Sequence, residues 1–120
     1  GARMEIDQLT QRLIRFRDAR DWQQFHNLKD LIVSLNLESA EVLELTQWKS
    51  AEQFETSLND DQQMSRLKEE CADVLSYLLL VAERAGFDLV KATNDKIDAN
   101  EQKYPVEKSK GNAIKYDQLK

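Results

Sequence analysis

Three glycines and one proline are all the chain-breaking residues in 120. Sandwiches and barrels place such residues at their many turns, so this scarcity argues against an all-β fold. What remains is long stretches of helix-compatible sequence. Ile6, Leu9, Leu13, Ile14 and Phe16 recur at helical spacing and define a first amphipathic helix over about Glu5 to Arg20. Asp21 to His26 interrupts the pattern. Asn27, with Asp30 three residues on, is a cap for a second helix that carries Leu28, Leu31, Ile32, Leu35, Val42 and Leu45 and is expected to run to about Trp48. Ser50 to Leu58 suits a short helical turn. Asn59 or Asp60 caps a long third helix bearing Met64, Leu67, Cys71, Val74, Leu75, Leu78 and Ala82, with Gly86 as its stop. Asp88 caps a fourth, which Pro105 ends near Tyr104. The expected fold is all-α, an antiparallel four-helix bundle-like protomer.

Residues 4–105 form the expected domain. Gly1–Arg3, ahead of a methionine, read as an expression remnant, and 106–120 as an irregular basic tail. Seventeen basic against 22 acidic residues give a net charge of −5, a field that repels nucleic-acid backbones. The longest apolar-leaning run, Val74 to Ala82, is less than half of the roughly twenty residues that span a bilayer. A cytoplasmic setting with no membrane and no nucleic-acid partner is expected. One cysteine and one histidine make neither an internal disulfide nor a typical zinc site, so any metal must be held mainly by oxygen. Cys71 reads as a small core residue.

Carboxylates stand where leucines belong. Around the second helix, Glu38 falls between Val42 and Leu45, inside the apolar stripe that Leu35 begins, and Glu41 and Trp48 share one edge of that stripe. Around the third, Glu70 falls on the stripe of Leu67, Val74 and Leu78, with Tyr77 and then Asp73 beside it on one flank. Each helix thus carries an acid-x-x-acid pair whose first member intrudes on the core stripe. Two such helices face to face converge four carboxylates, an arrangement whose repulsion a hard divalent cation relieves. Mg2+ fits, with Mn2+ as substitute. A di-iron centre needs Glu-x-x-His pairs, which the chain lacks. Trp22, Phe25, His26, Trp48 and Tyr77 gather near the expected mouth of these helices and suit the stacking of a nucleobase. Phosphates have no glycine-rich loop to receive them and need lysines, with Lys29, Lys96, Lys103, Lys110 and Lys115 as candidates.

The blocks Arg20-Asp21-Trp22-Gln23-Gln24-Phe25-His26, Glu38 to Lys49, Glu69 to Leu78 and Lys96 to Asn100, followed by Lys103-Tyr104-Pro105, resemble in order the MazG-like all-α nucleoside triphosphate pyrophosphohydrolases, in particular the dCTP pyrophosphatase-like branch. The resemblance implies Mg2+ on Glu38, Glu41, Glu70 and Asp73, a base pocket shaped by Trp22, His26, Trp48 and Tyr77, and phosphate contacts around Lys96 and Asn100 with help from tail lysines. It further implies a homodimer or a dimer-of-dimers tetramer with sites near subunit contacts. The expected reaction is hydrolysis of a nucleoside triphosphate, such as dCTP, dATP or a modified dNTP, to monophosphate and pyrophosphate as nucleotide-pool house-cleaning. Glu41 is the expected residue to orient or deprotonate the attacking water. A dUTP-type or phosphoribosyl-ATP-type pyrophosphohydrolase, and a noncatalytic helical dimerisation module, are the alternatives.

Overall fold

The computed structural model describes residues 4–109 and Gly111. Among the described residues six α-helices follow in order, α1 Ile6–Ala19, α2 Leu28–Glu44, α3 Ala51–Ser57, α4 Asp61–Ala85, α5 Leu89–Lys103 and α6 Val106–Ser109, with a 3-10 turn Gln23–Phe25 between α1 and α2. No strand occurs among the described residues, so the class is all-α as the sequence requires. The chain divides into two compact units, residues 1–86 and 87–120.

In the first unit every helix start is held by a side chain. Glu5 and Gln8 form a reciprocal box ahead of α1. Asn27 accepts from the Asp30 amide at 2.9 Å, Ser50 and Gln53 bond reciprocally at α3, and Asp60 accepts from the Gln62 amide at 3.0 Å. Each satisfies a helix-start N–H that has no partner inside its own helix. Gly86 ends α4 with φ of 82°, the left-handed conformation that glycine adopts without penalty.

The core is the seam between α2 and α4. His26, just ahead of α2, shares a pocket with Tyr77 and Leu80, whereas Glu38 and Glu41 meet Glu70 and Asp73, about two turns earlier on α4. The two helices therefore run antiparallel. Leu31, Leu45, Leu79, Leu80 and Ala82 are the buried hydrophobic residues. The α1 helix joins α4 through an ion pair from Arg17 Nη1 to Glu83 Oε2 at 3.3 Å. Ile32, Val33, Leu37 and Leu43 of α2 stay exposed, Leu43 at 67%.

Three expectations change. The second helix stops at Glu44, four residues short of Trp48. The amides of Leu45, Thr46 and Gln47 bond three residues back instead of four, and the Thr46 hydroxyl donates to the Leu43 carbonyl at 2.7 Å, so the last turn tightens and ends. Trp48 follows with φ of 65° and 97% of its surface exposed, off the helix on which its direction was reckoned. Cys71 is exposed, on the rim of a shallow groove that it shares with Ser39, Val42 and Val74. The tail begins with a helical turn, α6, closed by the Lys108 amide on the Pro105 carbonyl at 3.0 Å. Gly1–Arg3, Lys110 and Lys115 lie outside the described residues.

In the second unit, α5 is capped by the Asp88 carboxylate on the Lys91 amide at 3.1 Å and buries none of its residues. Lys91 and Asp95, one turn apart, pair at 2.8 Å on its surface.

Leu79, 2% exposed, is the most deeply buried residue of α4. Its replacement by alanine is expected to cost about 2–5 kcal/mol in urea denaturation. Gly86→Ala meets no atom within 4 Å. Its cost is therefore the left-handed backbone alone, about 1–2 kcal/mol.

Candidate metal centre and aromatic slot

Glu38 and Glu41 on α2 and Glu70 and Asp73 on α4 each offer a carboxylate oxygen, and the four oxygens lie within 4.8 Å of one another. The helical wheel accounts for this meeting: spacing of three puts each pair on one face, and the antiparallel seam turns the faces together. The pairs differ in depth. Glu38 and Glu70 are half-buried, and Oε2 of each is buried with no hydrogen-bond partner; Glu41 and Asp73 are exposed.

That placement shifts proton affinities. Burial pushes the Glu38 carboxyl above its ordinary value of 4.5, reinforced by a hydrogen bond with Glu41 and by the charges of Glu41, Asp73 and Glu70. Glu70 is raised first by its hydrogen bond with Glu41, then by burial and by the charges of Glu41 and Asp73, with Arg66 opposing. Two unpartnered, buried carboxylate oxygens facing each other from two helices fit a divalent cation, which supplies the missing charge and the missing ligand bonds at once. The all-oxygen set suits a hard ion.

Beside the acids lies a slot of about 340 Å3, at the small end of ligand pockets (~300–1,000 Å3), lined by residues of α1, the α1–α2 turn and α4. Local sequence builds it. Asp21 takes the left-handed conformation (φ 55°). The Gln24 side-chain Nε2 donates to the Asp21 carbonyl at 2.9 Å, tying the turn after α1. Trp22 then stands edge-on to Phe16, ring centroids 5.7 Å apart, and the Arg20 guanidinium covers Phe16 at 3.7 Å. His26 is half-buried with Nδ1 unpartnered, and burial, with the charge of Arg17 second, lowers its pKa from 6.5. Asp73 lines this slot as well as belonging to the acidic cluster.

Of the residues expected to shape a base pocket, Trp22, His26 and Tyr77 come together in the slot, and Trp48 does not line it. Lys29 is exposed on the first turn of α2. Lys96, Asn100 and Lys103 lie on α5, in the second unit.

Sequence reasoning missed Arg17. It lines the slot with its side chain only 12% exposed, held by Asp18 at 2.9 Å and Glu83 at 3.3 Å. The signal was partial: one turn on from Leu13, Arg17 falls at the edge of the stripe of Ile6, Leu9 and Phe16.

A family model described as MazG-like matches residues 33–119. The chain belongs to the MazG-like family. Among curated proteins, dCTP pyrophosphatase 1 of Rattus norvegicus is 41% identical over 104 residues, covering 87% of this chain and 61% of the rat protein. The human protein of that name is 36% identical over the same length. The MazG-like chain thus spans about three fifths of the length of these relatives. A solved structure described as a pyrophosphatase from Archaeoglobus fulgidus aligns with a TM-score of 0.78 at 36% identity, covering 88% of this chain and 96% of that one. No helix among the described residues of this MazG-like protein is long and apolar enough to cross a membrane.

The raised carboxyls make a signed prediction. A carboxyl whose folded pKa exceeds its unfolded value binds more protons when folded, so its contribution to stability falls as pH rises through the window from about 4.5 to the raised value. In EDTA at pH 8, Glu38→Gln is therefore expected to melt at a higher temperature than the parent. The advantage should shrink as the pH is lowered towards 4.5; a lower melting temperature at both ends would show that the cluster is not under repulsion.

Proposed function

We propose that this MazG-like protein hydrolyses deoxynucleoside triphosphates, dCTP, dATP or modified dNTPs, to the monophosphate and pyrophosphate in a Mg2+-dependent reaction, removing unwanted nucleotides from the cytoplasmic pool. The observation that carries this reading is Asp73, which belongs both to the four-carboxylate cluster and to the aromatic slot. A ligand with a flat apolar end and a polyanionic end, joined by a short linker, matches two adjoining sites of those characters. The names of the relatives, dCTP pyrophosphatase and pyrophosphatase, point to the same chemistry.

Glu38, Glu70, Asp73 and Glu41 hold the ion, for which Mg2+ is the best match and Mn2+ a substitute. When bound, such an ion neutralises phosphate oxygens and acidifies coordinated water. Trp22, His26 and Tyr77 hold the base in the slot. Kept neutral by burial, His26 meets the base edge as an uncharged hydrogen-bonding group. Glu41 is exposed beside both half-buried glutamates, so it serves as the group that orients the attacking water and takes its proton. Lys29, Lys96, Asn100, Lys103 and Lys115 supply the phosphate contacts. Trp48, wholly exposed and away from the slot of its own chain, serves a site completed by a second protomer in a homodimer or homotetramer. The exposed Ile32, Val33, Leu37 and Leu43 supply the apolar surface for that assembly.

Incubation with Mg2+ and each of the four dNTPs, followed by identification of the phosphorus products, tests the reaction. Monophosphate and pyrophosphate are expected, with at least a hundredfold loss in Glu38→Gln and a fall in kcat at nearly unchanged KM in Glu41→Gln. Absence of turnover on every dNTP, on dUTP and on phosphoribosyl-ATP would retire the enzymatic reading in favour of a helical dimerisation module. Light scattering on the eluting protein should give two or four times the protomer mass; a monomer would remove the assembly and the role given to Trp48.

A further inference from the structure

Among the described residues, Arg17 is the one cation that lines the aromatic slot. Its guanidinium carries five N–H donors. Within the protein, Nε bonds Asp18 at 2.9 Å and Nη1 bonds Glu83 at 3.3 Å, which leaves three donors without a protein partner. A guanidinium in the wall of a largely apolar slot is costly to desolvate, and a leucine on the same stripe would dock α1 against α4 without that cost. The two carboxylates fix the fork, so it is rigid before any ligand arrives. Its charge reaches across the slot to His26, where it opposes protonation of the imidazole.

We propose that Arg17 determines base specificity by donating N–H bonds to an exocyclic carbonyl oxygen of the base, so that the slot takes carbonyl-bearing bases, cytosine foremost, and discriminates against adenine, which has no carbonyl. This rests on the dNTP pyrophosphohydrolase reading and narrows its substrate. A fixed cationic donor is rewarded by a carbonyl dipole, and in front of adenine it is left desolvated and without an acceptor of that strength. Cytosine brings that carbonyl together with an exocyclic amino donor, and His26, half-buried in the slot wall, is the neighbouring group with acceptor capacity when neutral.

The test is calorimetric titration with dCMP and dAMP in the presence of Mg2+, on the parent and on Arg17→Met. The parent is expected to bind dCMP about tenfold more tightly than dAMP, and Arg17→Met to lose that preference by weakening dCMP binding alone. A merely structural Arg17 would weaken both nucleotides together, and that outcome overturns the proposal, as does a parent with no preference. Should Arg17→Met fail to fold, Arg17→Gln keeps a neutral donor at similar length; a reduced dCMP preference in it supports the proposal and an unchanged one overturns it. Monophosphate binding needs no turnover. A parent that selects dCMP but hydrolyses no dNTP retires the reaction and leaves Arg17 its role, whereas equal kcat/KM for dCTP and dATP retires the role and leaves the reaction.

Discussion

The α2–α4 seam holds together two opposed demands, and the rest of the first unit is arranged around that conflict. Leu31, Leu45, Leu79 and Leu80 are buried and supply the apolar stabilisation of the unit. Between α2 and α4, Glu38 and Glu70 face each other with a buried, unpartnered oxygen apiece. Apolar burial of a few leucines stabilises by several kcal/mol, and like-charged carboxylates in one seam erode part of it. The helices must therefore be long, well capped and antiparallel for the leucines to prevail. α4, at 25 residues and closed by a left-handed glycine, is the element that meets this requirement.

Much of this was legible in the sequence because it rests on local rules. Asn27, Ser50, Asp60 and Asp88 cap helices where short polar residues precede apolar periodicity, and Gly86 stops α4. The four carboxylates could be brought together on paper because a helix converts spacing into direction, and only one pairing of stripes buries the leucines. The end of α2 was not legible in that way. Its apolar stripe runs past Glu44, and the tightening that stops it comes from a threonine hydroxyl competing for a backbone carbonyl, which periodicity does not register. Directions reckoned around a helix are meaningless beyond its last turn, and Trp48 was the residue so misplaced.

Cys71 was misread, and Arg17 missed, for a different reason. Apolar spacing identifies a face but not what covers it, and Cys71, on the expected apolar stripe, is exposed. The aromatic slot needed α1 as a wall, and α1 was read only for its leucines. Arg17, at the edge of that stripe, went unweighed, although the same reasoning had singled out the intruding acids of α2 and the third predicted helix.

The turn that strands Trp48 has an optical consequence. The chain has two tryptophans, Trp22 in the slot wall beside Phe16 and Trp48 with 97% of its surface exposed. Their indoles sit in environments of unlike polarity, so the emission of the protein divides into a bluer component from the slot and a redder one, open to aqueous quenchers, from the α2–α3 link. Occupancy of the slot and burial of Trp48 by another molecule would register as separate colours of one spectrum, without any label.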